Sequence, residues 1–380
     1  MAFYSKDFTL GVLGGGQLGR MLIQSAVDFD VKVAVLDPAA DAPCSEIAHE
    51  FTVGSFADYD RVLEFGRGKD VVTIEIEHVN TEALRQLEAE GVRVYPQPRV
   101  LEIVKDKGLQ KQFYAEHNIA TAPFVIVENA AQIAQHPEML PCMQKLRTGG
   151  YDGRGVTPLR YESDLANAFN APSVLEAFVD FEMEISVIVS RNPQGEVKAF
   201  PIVDLEFNPE ANLVEFLVSP GRVSEEIAQK AHQLAVRVIE AFDMVGLLAV
   251  EMFVTRNGEV LVNEVAPRPH NSGHQTIEGN RTSQYEQNLR AILGLPAGDT
   301  TALEYAVMVN LLGEKGHAGP VHYEGMETAL AMSGVHPHIY GKSETKPFRK
   351  MGHVTITGSD LEETMKKARK VMETIHVIAK

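Results

Sequence analysis

The sequence contains few cysteines and no long hydrophobic run, and each absence excludes a class of protein. Its 380 residues include only Cys44 and Cys142, too few for a disulfide framework or a zinc ribbon and suited to a reducing compartment. No stretch reaches about 18 consecutive apolar residues, so we expect no membrane-spanning helix. The first residues lack a basic region followed by an apolar core, so we expect no signal peptide and a cytoplasmic protein.

Basic residues are scarce relative to acidic ones. The 35 Lys and Arg residues face 52 Asp and Glu residues, which gives a formal net charge of −17. This charge disfavours nonspecific binding to nucleic acid over most of the surface. A phosphate-bearing ligand must therefore bind in a local basic pocket. The 44% hydrophobic and 23% charged residues are typical of a globular enzyme.

The chain up to residue 95 alternates short apolar runs with helical patterns, which predicts a parallel sheet of the Rossmann-like α/β type. The predicted strands are 8–13, 31–36, 71–76 and 92–95, and the predicted helices lie near 18–29, 58–66 and 81–90. Prolines in "YPQPRV" at 95–100 and in "LGLPAGDT" at 293–300 predict linkers. We therefore expect an N-terminal domain over 1–100, a central domain over 101–295 and a small α+β C-terminal domain over 296–380.

A glycine-rich loop follows the first predicted strand. Gly14, Gly16 and Gly19 have the spacing of a dinucleotide-binding loop, and Asp37 lies about twenty residues on, where such folds place a ribose-binding acid. The same turn serves any doubly wound sheet. The spacing predicts the fold and leaves NAD binding open.

The segment 247–274 predicts a β-hairpin. Two alternating apolar runs flank Asn257 and Gly258, a dipeptide typical of a two-residue hairpin turn. Such a turn places Glu251 directly opposite Glu264, with Cβ atoms about 5 Å apart.

The paired acids are a candidate metal site. We expect Phe253 and Val262 on the same face, so that Glu251 and Glu264 lie in partly apolar surroundings, where two like charges repel. A bridging divalent cation removes that conflict, and oxygen ligands suit Mg²⁺. A solvent-facing hairpin with two acids is the alternative.

A second glycine-rich segment, "KLRTGGYDGRGV" at 145–156, carries the basic residues Lys145, Arg147 and Arg154. Its backbone amides and cationic side chains favour phosphate binding. It does not have the spacing of a P-loop. An ordinary mobile loop is the alternative.

Three other clusters have weaker support from the residues alone. The stretch 176–186 reads as an acidic edge strand that contains Glu176 and Glu184. His270 and His274 are four residues apart, but Pro269 and Gly273 predict a loop there, so we reject a zinc site and expect an anion site. A basic cluster of Lys342, Arg349 and Lys350 suits either a phosphate clamp or a solvated charge run.

Together these segments resemble the ATP-grasp superfamily, and within it the 5-(carboxyamino)imidazole ribonucleotide synthases of purine biosynthesis. The resemblance rests on "GGGQLGRM", "RTGGYDGRG", "NEVAPRPHNSGH" and "FRKMGH", in that order. It implies a pre-ATP-grasp domain of Rossmann-like fold, a central ATP-grasp domain and a small C-terminal domain. It also implies a homodimer that uses ATP, Mg²⁺ and bicarbonate to carboxylate 5-aminoimidazole ribonucleotide through carboxyphosphate.

The resemblance further implies roles for individual residues. Contacts with ATP are expected from Lys107, Lys145, Gly150, Tyr151, Asp152, Gly153, Arg154, Gly155, Val156, Glu176, Ala177, Phe178, Val179, Glu184, Asn263 and Glu264. Glu251 and Glu264 are expected to bind Mg²⁺, and Arg268, His270 and Asn271 to bind bicarbonate and carboxyphosphate, with Asp152 as acceptor of the amine proton. Contacts with the ribonucleotide are expected from Gln17, Leu18, Tyr151, Arg154, Lys342 and Arg349.

The sequence departs from the family pattern at two places. The stretch 203–208 lacks the usual Glu-Asn-x-His, and we assign no nucleotide contacts there. Lys107 replaces a frequent arginine, which keeps the charge without the bidentate fork. The alternatives are a formate-dependent glycinamide ribonucleotide formyltransferase and a catalytically idle nucleotide-binding subunit. Intact Glu251 and Glu264 disfavour the idle subunit.

Overall fold

The structure is a computed structural model that describes residues 7–150, 155–208 and 213–380. The predicted site residues that lie outside the described residues are Tyr151, Asp152, Gly153 and Arg154. Within the three described ranges, no helix is both long and apolar enough to cross a membrane.

The N-terminal part alternates strands and helices. Its elements are β1 (Thr9–Leu13), α1 (Gln17–Asp28), β2 (Lys32–Asp37), β3 (Glu50–Val53), α2 (Tyr59–Gly66), β4 (Val71–Ile74), α3 (Thr81–Ala89) and β5 (Arg93–Val94). All five strands are parallel, in the order β3-β2-β1-β4-β5. The predicted strands and helices are present. The short strand β3 was missed because its side chains are exposed or half-buried and form no apolar run.

The expected linker at 95–100 is partly helical. Pro98 occupies the first turn of a helix, where its missing N–H costs nothing. The elements that follow are α4 (Pro98–Lys105), α5 (Lys107–Glu116), β6 (Phe124–Val127), α6 (Ala130–Ile133), β7 (Cys142–Leu146), β8 (Val156–Leu159) and β9 (Ser173–Ala177). The four strands form an antiparallel sheet in the order β6-β9-β7-β8. The helix α5 begins beside this sheet, capped by the Asp106 carboxylate.

The rest of the chain contributes a large sheet, a small separate sheet and the helices between their strands. The central elements are β10 (Phe181–Arg191), β11 (Val197–Ala199), β12 (Val203–Asn208), β13 (Leu213–Ser219), α7 (Glu225–Ala241), β14 (Gly246–Thr255), β15 (Val260–Ala266), α8 (Thr276–Gly279) and α9 (Gln284–Leu293). The last elements are β16 (Tyr305–Leu312), β17 (Gly319–Glu324), α10 (Met326–Leu330), β18 (Val335–Ile339), β19 (Glu344–Thr345), β20 (Lys350–Gly358), α11 (Leu361–Thr374) and β21 (His376–Ala379). Three of these strands form the small antiparallel sheet, in the order β19-β17-β21.

The large sheet has the order β15-β14-β10-β12-β13-β16-β20-β18, with β11 paired to β10. It continues without a break across residue 296, because β13 pairs antiparallel with β16. The helix α7 covers the β10–β14–β15 end, burying Ala231, Ala235 and Val238 against the strands. The helix α9 packs on α1, and this pair of helices joins the N-terminal part to the part of the chain that forms the large sheet.

The β14–β15 hairpin differs from its predicted form at the turn. The Thr255 N–H donates to the Glu259 carbonyl at 2.9 Å, which leaves a three-residue turn rather than a two-residue one. Gly258 ends this turn with φ of 79°, a left-handed conformation that glycine adopts without strain.

A β-bulge then shifts the register back. Met252 lies opposite Val262, whereas Glu251 lies opposite Glu264, so Asn263 is the extra residue. The longer turn and the bulge offset each other, and the two acids face each other as expected. Phe253 and Val262 do not share a face, because Phe253 pairs with Leu261 and Val262 is buried under α7.

The turn that sets this register gives a stability prediction. Gly258→Ala should lower the free energy of unfolding by about 1 kcal/mol, because a left-handed backbone is costly for a residue with a Cβ. Gly258→Asn should cost less, because asparagine tolerates that conformation better. Urea titration of both variants measures the difference. An alanine variant as stable as the wild type would contradict this account of the turn.

Candidate functional site

Several of the predicted site residues line one cleft. Its volume is about 300 Å³, and it lies between the N-terminal sheet, the glycine-rich segment at 145–156 and the β14–β15 hairpin. The lining residues include Glu77, Lys105, Lys107, Arg147, Gly149, Gly150, Glu251, Glu264, Arg268 and His270. The cleft is thus formed by side chains from well-separated parts of the sequence.

Two carboxylates line the floor of the cleft, and a third lies near enough to interact with them. Glu251 pairs across strands with Glu264, and Glu184 lies two positions along β10 from Ser186, the other partner of Glu251. Burial raises the pKa of Glu251 to about 8, and the charges of Glu264 and Glu184 act in the same direction. Burial, with the charge of Glu264, raises the pKa of Glu184 to about 7. A site with so much converging negative charge favours a bound cation.

Lysines lie beside this acidic floor. Burial opposes ionisation of Glu264, but Lys107 and Lys145 hold its pKa below the usual value. Lys107 Nζ donates to Glu264 Oε2 at 3.3 Å, and Lys145 Nζ donates to Asn263 Oδ1 at 3.2 Å. The bulge therefore brings both Asn263 and Glu264 within reach of the lysines.

Lys111 is a further cation that the sequence analysis missed. It is 2% exposed, and its Nζ lies 3.3 Å from Glu176 Oε2 and 2.6 Å from Thr121 Oγ1. Lys145 Nζ donates to the same Glu176 oxygen at 3.1 Å. The spacing of Lys107 and Lys111, one turn apart on α5, is the signal that could have identified this residue.

The structure changes the expectation for the strand at Glu176. Its carboxylate is buried, and its Oε2 lies within 3.3 Å of the ammonium groups of both Lys111 and Lys145. The backbone N–H of Ala177 donates to the Pro123 carbonyl at 2.9 Å, and that of Phe178 to Pro141 at 3.4 Å. Val179 follows in the connection to β10.

The loop after β15 carries the predicted anion site. Arg268 Nε lies 2.9 Å from Glu77 Oε1, an ion pair that joins the loop to the N-terminal part. His270 Nδ1 accepts from the Ser272 N–H at 3.3 Å, which leaves the ring proton on Nε2. Burial lowers the pKa of His270 to about 3, with Arg268 and Lys350 acting in the same direction. His270 is therefore a neutral hydrogen-bond donor at physiological pH.

Two carboxylates accept hydrogen bonds from the backbone of the first glycine-rich loop. The Gly15 N–H donates to Asp37 Oδ2 at 2.7 Å, and the Leu18 N–H donates to Glu75 Oε1 at 3.2 Å. Burial raises the pKa of Glu75 to about 7, although Arg268 opposes the shift. Carboxylates occupy the amides that a dinucleotide pyrophosphate would need. The geometry therefore disfavours NAD at this loop.

The C-terminal basic cluster lies beside this loop. Lys342 Nζ donates to the Lys350 carbonyl at 2.6 Å, and burial lowers the pKa of Lys342 to about 8, with Arg349 acting in the same direction and Glu75 opposing. Ser343 Oγ donates to Asp41 Oδ2 at 3.4 Å, so the segment contacts the N-terminal part. Arg349 instead donates to a backbone carbonyl of its own segment.

Three domain families match the chain in sequence. Residues 8–105 match the ribonucleotide synthetase pre-ATP-grasp domain, residues 112–285 the ATP-grasp domain, and residues 306–367 the phosphoribosylaminoimidazole carboxylase C-terminal domain. Together they cover all of the residues that line the cleft except Lys107.

Curated relatives extend the match over most of the chain. The N5-carboxyaminoimidazole ribonucleotide synthase of Bacillus subtilis is 38% identical, over 91% of this chain and 90% of that protein. The phosphoribosylaminoimidazole carboxylases of Vigna aconitifolia and Schizosaccharomyces pombe are 37% and 38% identical over 93% and 97% of this chain. The chain spans only 65% and 68% of those two longer proteins.

Solved structures agree with the sequence matches. The N5-carboxyaminoimidazole ribonucleotide synthetase of Thermotoga maritima has a TM-score of 0.91 and 40% identity, covering 98% of this chain and all of that chain. The Aspergillus clavatus synthase, in complex with ADP and 5-aminoimidazole ribonucleotide, has a TM-score of 0.88 and 33% identity, covering 97% and 98%. The chain therefore belongs to the N5-carboxyaminoimidazole ribonucleotide synthase family of the ATP-grasp superfamily.

Proposed function

We propose that the chain is an ATP-dependent ligase that joins bicarbonate to the exocyclic amine of 5-aminoimidazole ribonucleotide, giving N5-carboxyaminoimidazole ribonucleotide, ADP and phosphate. The observation that carries this proposal is the cleft in which paired acids, lysines and the Arg268–Asn271 loop meet. The family membership of the chain supports the same substrates, because the Aspergillus clavatus synthase is described in complex with ADP and 5-aminoimidazole ribonucleotide.

The residues at the cleft floor fit a bound Mg²⁺. Glu251 and Glu264 offer oxygen ligands on one face, and burial together with the neighbouring carboxylates raises the pKa of Glu251. When bound, the metal neutralises charge on the transferring phosphoryl group. Glu264 would also orient Lys107, with which it shares a hydrogen bond.

The lysines would hold the phosphates of ATP. Lys107 and Lys145 present their ammonium groups to the same space, and Gly150 lines the cleft at the start of the glycine-rich turn. Gly155 and Val156 return that segment to β8, which pairs with β7. Phosphoryl transfer depends mainly on positioning and charge stabilisation, which these groups provide.

The Arg268–Asn271 loop would bind bicarbonate. A bicarbonate oxygen attacks the γ-phosphorus while the bond to ADP breaks, which forms carboxyphosphate. The neutral His270 then donates a hydrogen bond from Nε2, and Arg268 supplies positive charge. Cleavage of the carbon–oxygen bond gives CO₂ and phosphate, and the amine nitrogen attacks the carbon. Asp152 is proposed to accept the amine proton.

The ribonucleotide would lie between the first glycine loop and the C-terminal cluster. Gln17 and Leu18 begin α1 beside Glu75, and Lys342 is close enough for Glu75 to influence its pKa. Lys342 and Arg349, with Tyr151 and Arg154, would face the ribonucleotide and its phosphate. The homodimer stays a prediction of the family resemblance, and light scattering of the purified protein measures it. The cytoplasmic location stays a prediction of the sequence.

Phosphate release tests the reaction and its substrate together. With ATP, Mg²⁺ and saturating bicarbonate, 5-aminoimidazole ribonucleotide should stimulate release strongly, and carbon from labelled bicarbonate should appear in an acid-labile carbamate. The ribonucleotide is required because its amine consumes the activated carboxyl group. Stimulation by glycinamide ribonucleotide with formate instead would favour the formyltransferase, and no stimulation by either would favour an idle nucleotide-binding subunit.

The metal assignment predicts a loss of turnover in Glu264→Gln. Removing one carboxylate should lower kcat by about 100-fold or more, because charge stabilisation of the transferring phosphoryl group is lost. Steady-state phosphate release across a Mg²⁺ titration measures the effect. Glu259→Gln, on the exposed part of the same hairpin, is the matched control and should behave as the wild type. Normal turnover by Glu264→Gln would refute the assignment.

The ribonucleotide assignment predicts a selective defect in Lys342→Ala. The KM for the ribonucleotide should rise about tenfold or more with the loss of a charge-assisted contact, and the KM for ATP should change by less than about twofold. Lys346→Ala, at an exposed position in the same segment, is the control. A defect confined to ATP would show that the pocket is assigned wrongly.

A further inference from the structure

Gln284 holds both backbone polar groups of His270. The His270 N–H donates to Gln284 Oε1 at 2.9 Å, and Gln284 Nε2 donates to the His270 carbonyl at 2.8 Å. Gln284 is fully buried in the first turn of α9. One side-chain amide therefore fixes the backbone of a residue in the proposed bicarbonate site from both sides.

The orientation of this amide is determined by its partners. A reversed amide would place Nε2 against the His270 N–H, donor against donor, and Oε1 against the carbonyl, acceptor against acceptor. The observed orientation also places Nε2 3.2 Å from Nδ1 of His274, which receives a contact from the Tyr285 hydroxyl at 3.0 Å. The start of α9 thus contacts the loop at both His270 and His274.

The loop approaches this helix too closely for larger residues. A Cβ on Gly273 would lie 2.5 Å from Gln284 Oε1 and 2.2 Å from Ile188 Cδ1. The Ser272 hydroxyl contacts Ser186 of β10 at 2.8 Å, on the strand that pairs with Glu251. The loop is therefore confined between α9 and the strand that borders the acidic floor.

We propose that Gln284 is a positioning residue for catalysis, which fixes the main chain of His270 so that its Nε2–H and the neighbouring Arg268 meet bicarbonate in a reactive geometry. This inference rests on the proposed function. The glutamine acts through the backbone of the loop, so it touches no substrate. Small misplacements of reacting groups are costly, since a shift of about 1 Å lowers rates by about 100-fold.

The chain offers a matched control on the same helix. Gln287 is as buried as Gln284, and its amide also makes two short hydrogen bonds, to Ser190 Oγ and from the Gly298 N–H, both at 2.8 Å. Neither partner belongs to the His270 loop. Gln284→Met and Gln287→Met therefore remove equivalent buried hydrogen bonds and differ in what those bonds hold.

Two measurements compare the variants. In bicarbonate-dependent phosphate release, Gln284→Met should lower kcat by about 10- to 100-fold with less than about a twofold change in the KM for ATP, while Gln287→Met stays within about threefold of the wild type. In hydrogen exchange, the His270 amide should exchange at least about tenfold faster in Gln284→Met alone, because its acceptor is lost. If Gln284→Met does not fold, Gln284→Glu replaces it. This variant keeps an acceptor for the His270 N–H but loses the donor to the His270 carbonyl, so kcat should fall about tenfold or more while the His270 exchange rate stays near that of the wild type. An unchanged kcat in Gln284→Glu would then overturn the positioning role.

The outcomes separate the two proposals. An unchanged kcat in Gln284→Met, or equal losses in both methionine variants, would overturn the positioning role. An unchanged His270 exchange rate in Gln284→Met would overturn it as well, whatever the substrate. Wild-type protein that releases no phosphate in response to the ribonucleotide would instead contradict the proposed function, and the exchange measurement would still decide whether Gln284 holds the loop.

Discussion

The pairing of Glu251 with Glu264 across the β14–β15 hairpin is the interaction on which the rest of the site depends. The pair concentrates negative charge where burial disfavours it, and the raised pKa of Glu251 expresses that cost. Lys107 and Lys145 approach the same floor and offset part of it. In the proposed function, a bound Mg²⁺ would offset the remaining negative charge of the pair, and the lysines would offset that of the nucleotide phosphates.

The other elements of the fold bring reactive groups to this floor. The continuous large sheet fixes β10, β14 and β15, and the loop after β15 runs between α9 and β10. The N-terminal part contributes Glu77, which pairs with Arg268. The C-terminal segment adds Lys342, whose ammonium group interacts with the charge of Glu75. Local concentration of cations in an acidic protein explains how a chain with net charge of −17 can bind phosphorylated ligands.

The sequence predicted the alternating N-terminal fold well, because short buried runs separated by helical patterns leave few alternatives. It also placed Glu251 opposite Glu264, but for an incomplete reason, since the three-residue turn and the bulge at Asn263 offset each other. Bulges depend on the surrounding sheet and have no clear sequence pattern. The prediction that Phe253 and Val262 share a face was wrong for the same reason, because the three-residue turn shifts the pairing between the turn and the bulge.

Contacts between residues far apart in the chain could not be predicted from the sequence. Lys111 joins Glu176 across the α5–β9 contact, and Gln284 joins His270 through a fold in the chain that no local spacing reveals. The glycine loop at Gly14–Gly19 shows the reverse limitation. Its spacing suited a dinucleotide, but only the structure shows Asp37 and Glu75 bonded to the loop amides. Motif spacing predicts backbone shape more securely than it predicts the ligand.

In the proposed reaction, the cleft transfers a phosphoryl group to bicarbonate before the carbon reaches the ribonucleotide. Turnover with ¹⁸O-labelled bicarbonate tests it most directly, because the oxygen that attacks phosphorus stays bonded to phosphorus when carboxyphosphate breaks down. Mass spectrometry of the released phosphate should detect one labelled oxygen per turnover. Phosphate without label, formed while the ribonucleotide is carboxylated, would contradict the account.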